Sequence, residues 1–241
     1  MFGAAADAQA AALAPLQGRA RRGRTDVAGQ YALDLVADAA VLDVLAPSGV
    51  AVVSEESGRT GPRDAAITVV VDPVDGSTNC SRSIPYWAIS LCALDADGPL
   101  AALVANQATG ERFTAARGHG ARVDGESVIP ATTERLADSL LAVSGLPERH
   151  LGWKQFRSLG SVALTLCDLA AGRVDAYLDV LDDQHAPWDY LGGLLVCTEA
   201  GLPVVDRAGR GLVTDDPAAR RTLLGASTPV LLDELTAAVT A

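Results

Sequence analysis

The 241 residues carry a formal net charge of −11, and the chain is 49% hydrophobic but only 4% aromatic. That supplies a sizeable core of Ala, Val and Leu, enough for one large domain or two closely packed halves. The acidic balance argues against a nucleic-acid or anionic-membrane surface, and no apolar run approaches the roughly 20 residues that a membrane span needs. Of 19 basic residues only Lys154 is a lysine, a bias that fits a GC-rich genome. Cys80, Cys92, Cys167 and Cys197 form no C-x-x-C pair, so free buried thiols in a reducing cytoplasm are expected. The sequence opens on no basic-then-apolar leader, and a cytoplasmic protein is the expectation.

In chain order, residues 4–16 are alanine-rich and read as a helix ended by Pro15 and Gly18. The arginine-rich segment 19–24 reads as a solvated loop, with phosphate steering as the alternative. Leu33, Val36, Ala37, Ala40, Val41, Val44 and Leu45 then repeat at helical spacing up to Pro47. Asp34 lies near the start of that helix, where the dipole favours an acid. Residues 50–53 read as a short strand delivering Glu55 and Glu56, followed by a loop containing Gly58, Gly61 and Pro62.

Val69-Val70-Val71 is a β-branched run suited to a strand buried on both faces. It ends in Asp72-Pro73-Val74-Asp75-Gly76-Ser77-Thr78-Asn79. Two acids held that close need a cation between them or a raised pKa. The donors are all hard oxygens, which suit Mg²⁺, Mn²⁺ or Ca²⁺ rather than zinc. The turn at Gly76, Ser77 and Thr78 offers free amides for a phosphate. Taken alone, the same residues also compose a plain surface turn.

Residues 87–94 and 100–106 read as antiparallel strands joined by a turn at 95–98, and 118–125 as a further hairpin with His119 on the surface. The first half is thus helices on a mostly antiparallel sheet. A smaller second half begins near Ala131. Residues 140–144 form a buried strand, and Ser161 caps a helix whose stripe is Leu164, Cys167, Leu169 and Ala170. Another strand runs to Asp179, and Pro187 opens a helix with Asp189 in its first turn. Strands at 202–205 and 222–225 and a helix at 231–239 close the chain.

Asp72-Pro73-Val74-Asp75-Gly76-Ser77-Thr78-Asn79 resembles the first signature of the inositol monophosphatase family of Mg²⁺-dependent, lithium-sensitive sugar-phosphate phosphatases. Trp188-Asp189-Tyr190-Leu191-Gly192-Gly193, followed by Glu199-Ala200-Gly201, resembles the second, and Ser54-Glu55-Glu56-Ser57-Gly58 a shorter third. The matches keep the family's order and approximate spacing from about Asp34 onwards. The resemblance implies an α+β fold, a layered αβαβα sandwich. Its halves would be residues 1–130, carrying most metal ligands, and 131–241, carrying Asp189 and the substrate-specificity residues.

The resemblance also implies a set of roles. Glu55, Asp72, the Val74 carbonyl, Asp75 and Asp189 would hold two or three Mg²⁺ ions (or Mn²⁺), with Asp72 bridging two of them roughly 3.5–4 Å apart. Ser77 with Asp34, assisted by Glu55, would activate a water for direct attack on phosphorus. Gly76, Ser77 and Thr78 would cradle the phosphate, and the loop after Gly58 would hang over the metals as a mobile lid. Gly160-Ser161-Val162 matches a Gly-Thr-Ala that faces substrate hydroxyls. Asp179 aligns with an acid that grips sugar hydroxyls, and Asp182 competes for that role because the segment up to Trp188 is a few residues long for the family.

The departures are Gln30-Tyr31-Ala32-Leu33-Asp34 for Val-Thr-x-x-Asp, Ser77 for threonine, Cys80 for an aromatic, and Gly192-Gly193 for Ala-Gly. The expected activity is hydrolysis of a small-molecule phosphate monoester, inositol 1-phosphate first. Fructose 1,6-bisphosphate, histidinol phosphate and 3′-phosphoadenosine 5′-phosphate are the alternatives. A homodimer is implied, with no nucleic-acid or membrane partner. The non-enzymatic alternative is a metal-binding regulatory partner of the transcription machinery.

Overall fold

The computed structural model describes residues 1–240. In chain order it contains α1 (Phe2–Leu13), α2 (Gly18–Arg21), α3 (Ala32–Leu45), β1 (Ala51–Ser54), β2 (Gly58–Thr60), β3 (Thr68–Asp75), α4 (Ser77–Arg82), β4 (Ala88–Asp95), β5 (Gly98–Asn106), β6 (Arg112–Ala116), β7 (Ala121–Val123) and β8 (Glu126–Ser127). There follow β9 (Leu140–Ser144), β10 (Gln155–Arg157), α5 (Val162–Ala170), β11 (Ala176–Asp179), α6 (Pro187–Glu199), β12 (Val204–Asp206), β13 (Leu223–Ala226) and α7 (Pro229–Thr240).

An eight-stranded sheet runs β2-β1-β3-β4-β5-β6-β7-β8, and a five-stranded sheet runs β10-β9-β11-β13-β12. The first is antiparallel except where β1 lies parallel to β3. Side-chain alternation at a period of two sorts its core. Val52, Val69, Val71, Ile89, Leu91 and Leu103 face α1 and α3, whereas Val53, Val70, Cys92, Ala102 and Val104 face α5 and α6. The second sheet repeats the device: Ala142, Tyr177 and Leu223 point inward, and Leu141, Val143, Leu178 and Leu224 point toward α7. The layers are therefore helix, sheet, helix, sheet, helix, the αβαβα sandwich expected.

The two middle helices approach closely because Gly193 carries no side chain. A Cβ there would lie 2.7 Å from Leu166 Cβ and 2.9 Å from the Ala163 carbonyl, inside any tolerated contact. Gly192 has a similar reason for departing from the family's alanine, since its Cβ would meet Ser90 Oγ at 2.6 Å.

The segment after Glu56 corrects one expectation. It is a hairpin rather than an open loop: Gly58, at φ 67°, tightens the turn, and residues 58–60 pair back on β1 with Val52 opposite Thr60. Arg59 ties this hairpin to Asp215 at 2.6 Å. Segment 19–24, expected as loop, includes α2. All four cysteines are free and buried. Among the described residues, no helix is long and apolar enough to cross a membrane.

Candidate metal centre and substrate cavity

A register shift in the β3–β4 pairing falls between Asp72 and Asp75: Asp72 sits opposite Ser90 and Asp75 opposite Ala88. One extra residue on β3 makes this a β-bulge. In a regular strand Asp75 would fall on the opposite face from Asp72, because side chains alternate. The bulge turns both acids toward the middle helices. Pro73 suits the kink, as it has no amide to offer the ladder, and its carbonyl accepts from the buried Gln9 side chain at 2.8 Å.

Two helices deliver acids from their first turns. Asp34 and Asp189 occupy equivalent positions in α3 and α6, and each Oδ2 accepts the amide three residues back, Tyr31 at 2.8 Å and Ala186 at 2.7 Å. This reach-back satisfies an orphan amide and aims the other oxygen into the cleft. The Asp34 Oδ1 is buried without a hydrogen-bond partner. Glu55 enters from the end of β1, where its amide bonds to the Val71 carbonyl at 3.2 Å.

Glu55, Asp72 and Asp189 each place one carboxylate oxygen within 4.8 Å of the others. The electrostatics are strained. Loss of solvent around the Glu55 carboxyl, and then the charge of Asp189, pushes it up to about 8. Asp72 is held well above the ordinary carboxylate range, first by burial and then by Glu55, Asp75 and Asp189. Burial also raises Asp34, an effect eased by the Tyr31 amide and the Ser77 hydroxyl. Converging hard-oxygen acids that repel one another are suited to a divalent cation such as Mg²⁺.

Asp75 lies deeper. Its Oδ2 accepts from Ser161 Oγ at 2.6 Å and the Ala163 amide at 2.7 Å, and its Oδ1 from the Val162 amide at 3.3 Å. It thus docks β3 on the N-terminus of α5, and burial still lifts it to about 7. The Val74 carbonyl accepts from Ser77 Oγ at 2.9 Å. Gly76 has φ 95°, and a Cβ there would lie 2.9 Å from the Gly160 carbonyl, so only glycine permits this crossing. Thr78 Oγ1 lies 3.2 Å from the Tyr31 hydroxyl. Asn79 donates to the Tyr86 and Leu159 carbonyls at 2.7 Å, pinning the 158–160 loop beside the acids.

A cavity of about 240 Å³ opens from Asp75 and Asp189 and is lined further by Ser144, Ser161, Tyr177 and His185, among others. Gly160, Ser161 and Val162 form part of its wall, as expected. Asp179 does not line it. That residue has no exposed surface; its Oδ1 receives the Tyr177 hydroxyl and faces His185 Nε2 at 2.9 Å, and its Oδ2 accepts the Leu223 amide at 2.6 Å. The sugar-hydroxyl role expected of Asp179 thus falls on a carboxylate that its own neighbours seal in this structure. Asp182 is exposed on the far side of the turn, paired with Arg207, and is also outside the cavity lining.

His185 is the group that sequence reasoning left without a role. It lies between Asp179 and Asp189, its Nδ1 3.5 Å from the latter. Burial alone would lower it, but hydrogen bonds to the two acids outweigh that and push it up to about 10. It lies just before the α6 N-cap, bridged to Arg221, and no local pattern in the sequence marks it.

The model of the inositol monophosphatase family matches residues 3–241. A fructose-1,6-bisphosphatase/inositol-1-monophosphatase of Archaeoglobus fulgidus is 35% identical over 185 residues, covering 75% of this chain and 71% of the relative. The Nus factor SuhB of Escherichia coli K12 is 31% identical over 194 residues, covering 73% and 71%. A solved Pyrococcus horikoshii structure, described as a hypothetical protein with similarities for inositol-1 monophosphatase, superposes with a TM-score of 0.86 at 26% identity over 97% of this chain and 94% of that one. The signatures, the layers and the matched length agree: this chain belongs to the inositol monophosphatase family.

Proposed function

We propose that the chain is a Mg²⁺-dependent phosphomonoesterase for a small polyol phosphate, with inositol 1-phosphate as the substrate of choice. The observation that carries this reading is the convergence of Glu55, Asp72 and Asp189 beside Asp34, whose Oδ1 is buried and unpartnered. Glu55, Asp72, Asp189, Asp75 and the Val74 carbonyl would hold the ions. When bound, Mg²⁺ supplies positive charge to the phosphoryl oxygens and acidifies a coordinated water.

The chain's own groups do the rest. Asp34 Oδ1, with the Ser77 hydroxyl beside it, is placed to orient the attacking water and take its proton. The first amides of α4, at Ser77 and Thr78, have no partner within the helix and suit phosphate oxygens. The α5 N-terminus and the 158–160 loop wall off the cavity that would receive the alcohol. No arginine or lysine lines that cavity among the described residues. The one cationic side chain on that wall, His185, is already held by Asp179 and Asp189, so a second phosphate would find no free positive partner there, which favours a monoester over fructose 1,6-bisphosphate or 3′-phosphoadenosine 5′-phosphate.

A second reading has its own support: one relative, 31% identical over 194 residues, is named a Nus factor, and a regulatory role in transcription is compatible with an intact metal site. Phosphate release from inositol 1-phosphate, fructose 1,6-bisphosphate, histidinol phosphate and 3′-phosphoadenosine 5′-phosphate separates the readings. Turnover greatest on inositol 1-phosphate supports the proposal. Greater turnover on either bisphosphate overturns the substrate assignment, and silence across all four with Mg²⁺ bound transfers the reading to a binding role.

A further inference from the structure

Ala5, Ala6, Gln9 and Leu13 make up the buried face of α1. Ala5 and Ala6 cluster with Val69 and Val71, and Leu13 clusters with Val74, so Gln9 falls between them, over the bulge. It has no exposed surface. Its Nε2 donates to the Pro73 carbonyl at 2.8 Å, while its Oε1 is buried with no partner. An unpaired buried acceptor is destabilising, so packing alone would be better served by an apolar side chain. What the residue contributes is the bond to Pro73. The carbonyl of Pro73 and the amide of Val74 belong to one peptide unit and point in opposite directions across its plane. Gln9 holds one end, and the other donates to Asp72 Oδ1 at 2.9 Å. The proline ring fixes its own φ, so the freedom left at the bulge is rotation of this same peptide. Both bonds oppose that rotation.

We propose that Gln9 is a positioning residue for the metal centre, acting on the Asp72 carboxylate through the peptide unit of Pro73 and Val74. The relay runs from Gln9 Nε2–H to the Pro73 carbonyl, and from the Val74 amide to Asp72 Oδ1. Hydrogen bonds joined head to tail polarise one another, so the Gln9 amide strengthens the donor that Asp72 receives. It does this without adding a charge to the crowded acids. The bond from Val74 also fixes the rotation of the carboxylate group, and with it the oxygen that Asp72 presents beside Glu55 and Asp189. Helix α1 thus supplies no ligand yet sets the aim of one. The inference rests on the reading that Asp72 holds a divalent cation.

The test compares Gln9→Met, which keeps the volume and removes both polar atoms, with Gln107→Met. Gln107 donates to the Ala6 carbonyl at 2.8 Å and so anchors the same helix without touching the relay. Calorimetric titration with Mg²⁺ should show Gln9→Met weakened about fivefold, the worth of one hydrogen bond, and Gln107→Met unchanged. The Tm of metal-free Gln9→Met should stay close to wild type, because losing the partner of the Pro73 carbonyl is offset by removing the unpaired Oε1. In the metal-free protein the Val74 amide proton should move upfield in Gln9→Met alone, as its bond to Asp72 loses support. Unaltered Mg²⁺ affinity in Gln9→Met, equal weakening by both variants, or an unmoved Val74 resonance overturns the proposal. A steep fall in Tm with Gln9→Met also overturns it, since Gln9 would then be structural. Phosphate release is followed in parallel. A chain that hydrolyses no ester yet shows the Gln9 effect on Mg²⁺ keeps the relay and loses the phosphatase reading, and hydrolysis without that effect does the reverse.

Discussion

Asp72→Asn is expected to make the metal-free protein more stable while abolishing phosphate release. Asp72 is 2% exposed, and burial together with Glu55, Asp75 and Asp189 opposes its charge. An uncompensated buried charge costs about 3–5 kcal/mol, and proton sharing within a coupled cluster trims what the amide recovers to roughly 2–3 kcal/mol. The amide oxygen can retain the bond from the Val74 amide, 2.9 Å away. For a chain of this size, with about 2–4 °C per kcal/mol, the melting temperature should rise by about 5–10 °C.

The pH dependence has a fixed sign. Carboxyls whose folded pKa lies above the unfolded value bind protons more tightly when folded, so stability is present at low pH and lost as pH rises through the folded pKa. With Asp75 near 7 and Glu55 near 8, metal-free wild type should melt progressively lower between about pH 5 and about pH 8. The variant should lose less over the same range. Thermal melts with EDTA and with Mg²⁺ at both ends of that range read all of this. Mg²⁺ at about 100 times Kd should return about 2.7 kcal/mol to wild type and much less to the variant. If the metal-free variant melted below wild type at the alkaline end, the acids would not be opposing one another and the cation argument would fall.

Two further expectations concern single residues. Gly193→Ala should destabilise the fold by about 1–3 kcal/mol, the usual cost of overpacking, because its methyl meets Leu166 Cβ at 2.7 Å; an unchanged denaturation midpoint would mean that α5 and α6 are not in close contact. Asp34→Asn should lower kcat by about 10²–10⁴-fold, the range for a lost general base, with KM and Tm nearly unmoved. A loss confined to KM would relocate Asp34 from proton transfer to binding.

Much of this architecture is visible in residue order. The β-branched run before Asp72 announces a strand buried on both faces, and Leu33 to Leu45 announces a helix by spacing alone. Glu55, Asp72 and Asp189 could be nominated as ligands from their positions after a strand, at a strand tip and in a helix's first turn. The bulge was not legible, since Asp-Pro-Val-Asp composes equally well a flat turn, and only the offset of Asp72 and Asp75 against Ser90 and Ala88 reveals that both acids share a face. Strand β10 escaped because Gln155, Phe156 and Arg157 are all exposed and show no alternation. The burial of Asp179 was not legible for a tertiary reason: its partners Tyr177, His185 and Leu223 close around it from three segments, and no local pattern records that convergence.

The central claim is that the acid cluster is the seat of a cation-dependent phosphatase. The measurement that tests it most directly is phosphate release from inositol 1-phosphate by wild type and by Asp189→Asn, each with Mg²⁺ and with EDTA. The account predicts release by wild type in Mg²⁺, none in EDTA, and none above background by the variant in either. Release that survives EDTA, or that survives the loss of Asp189, would contradict it.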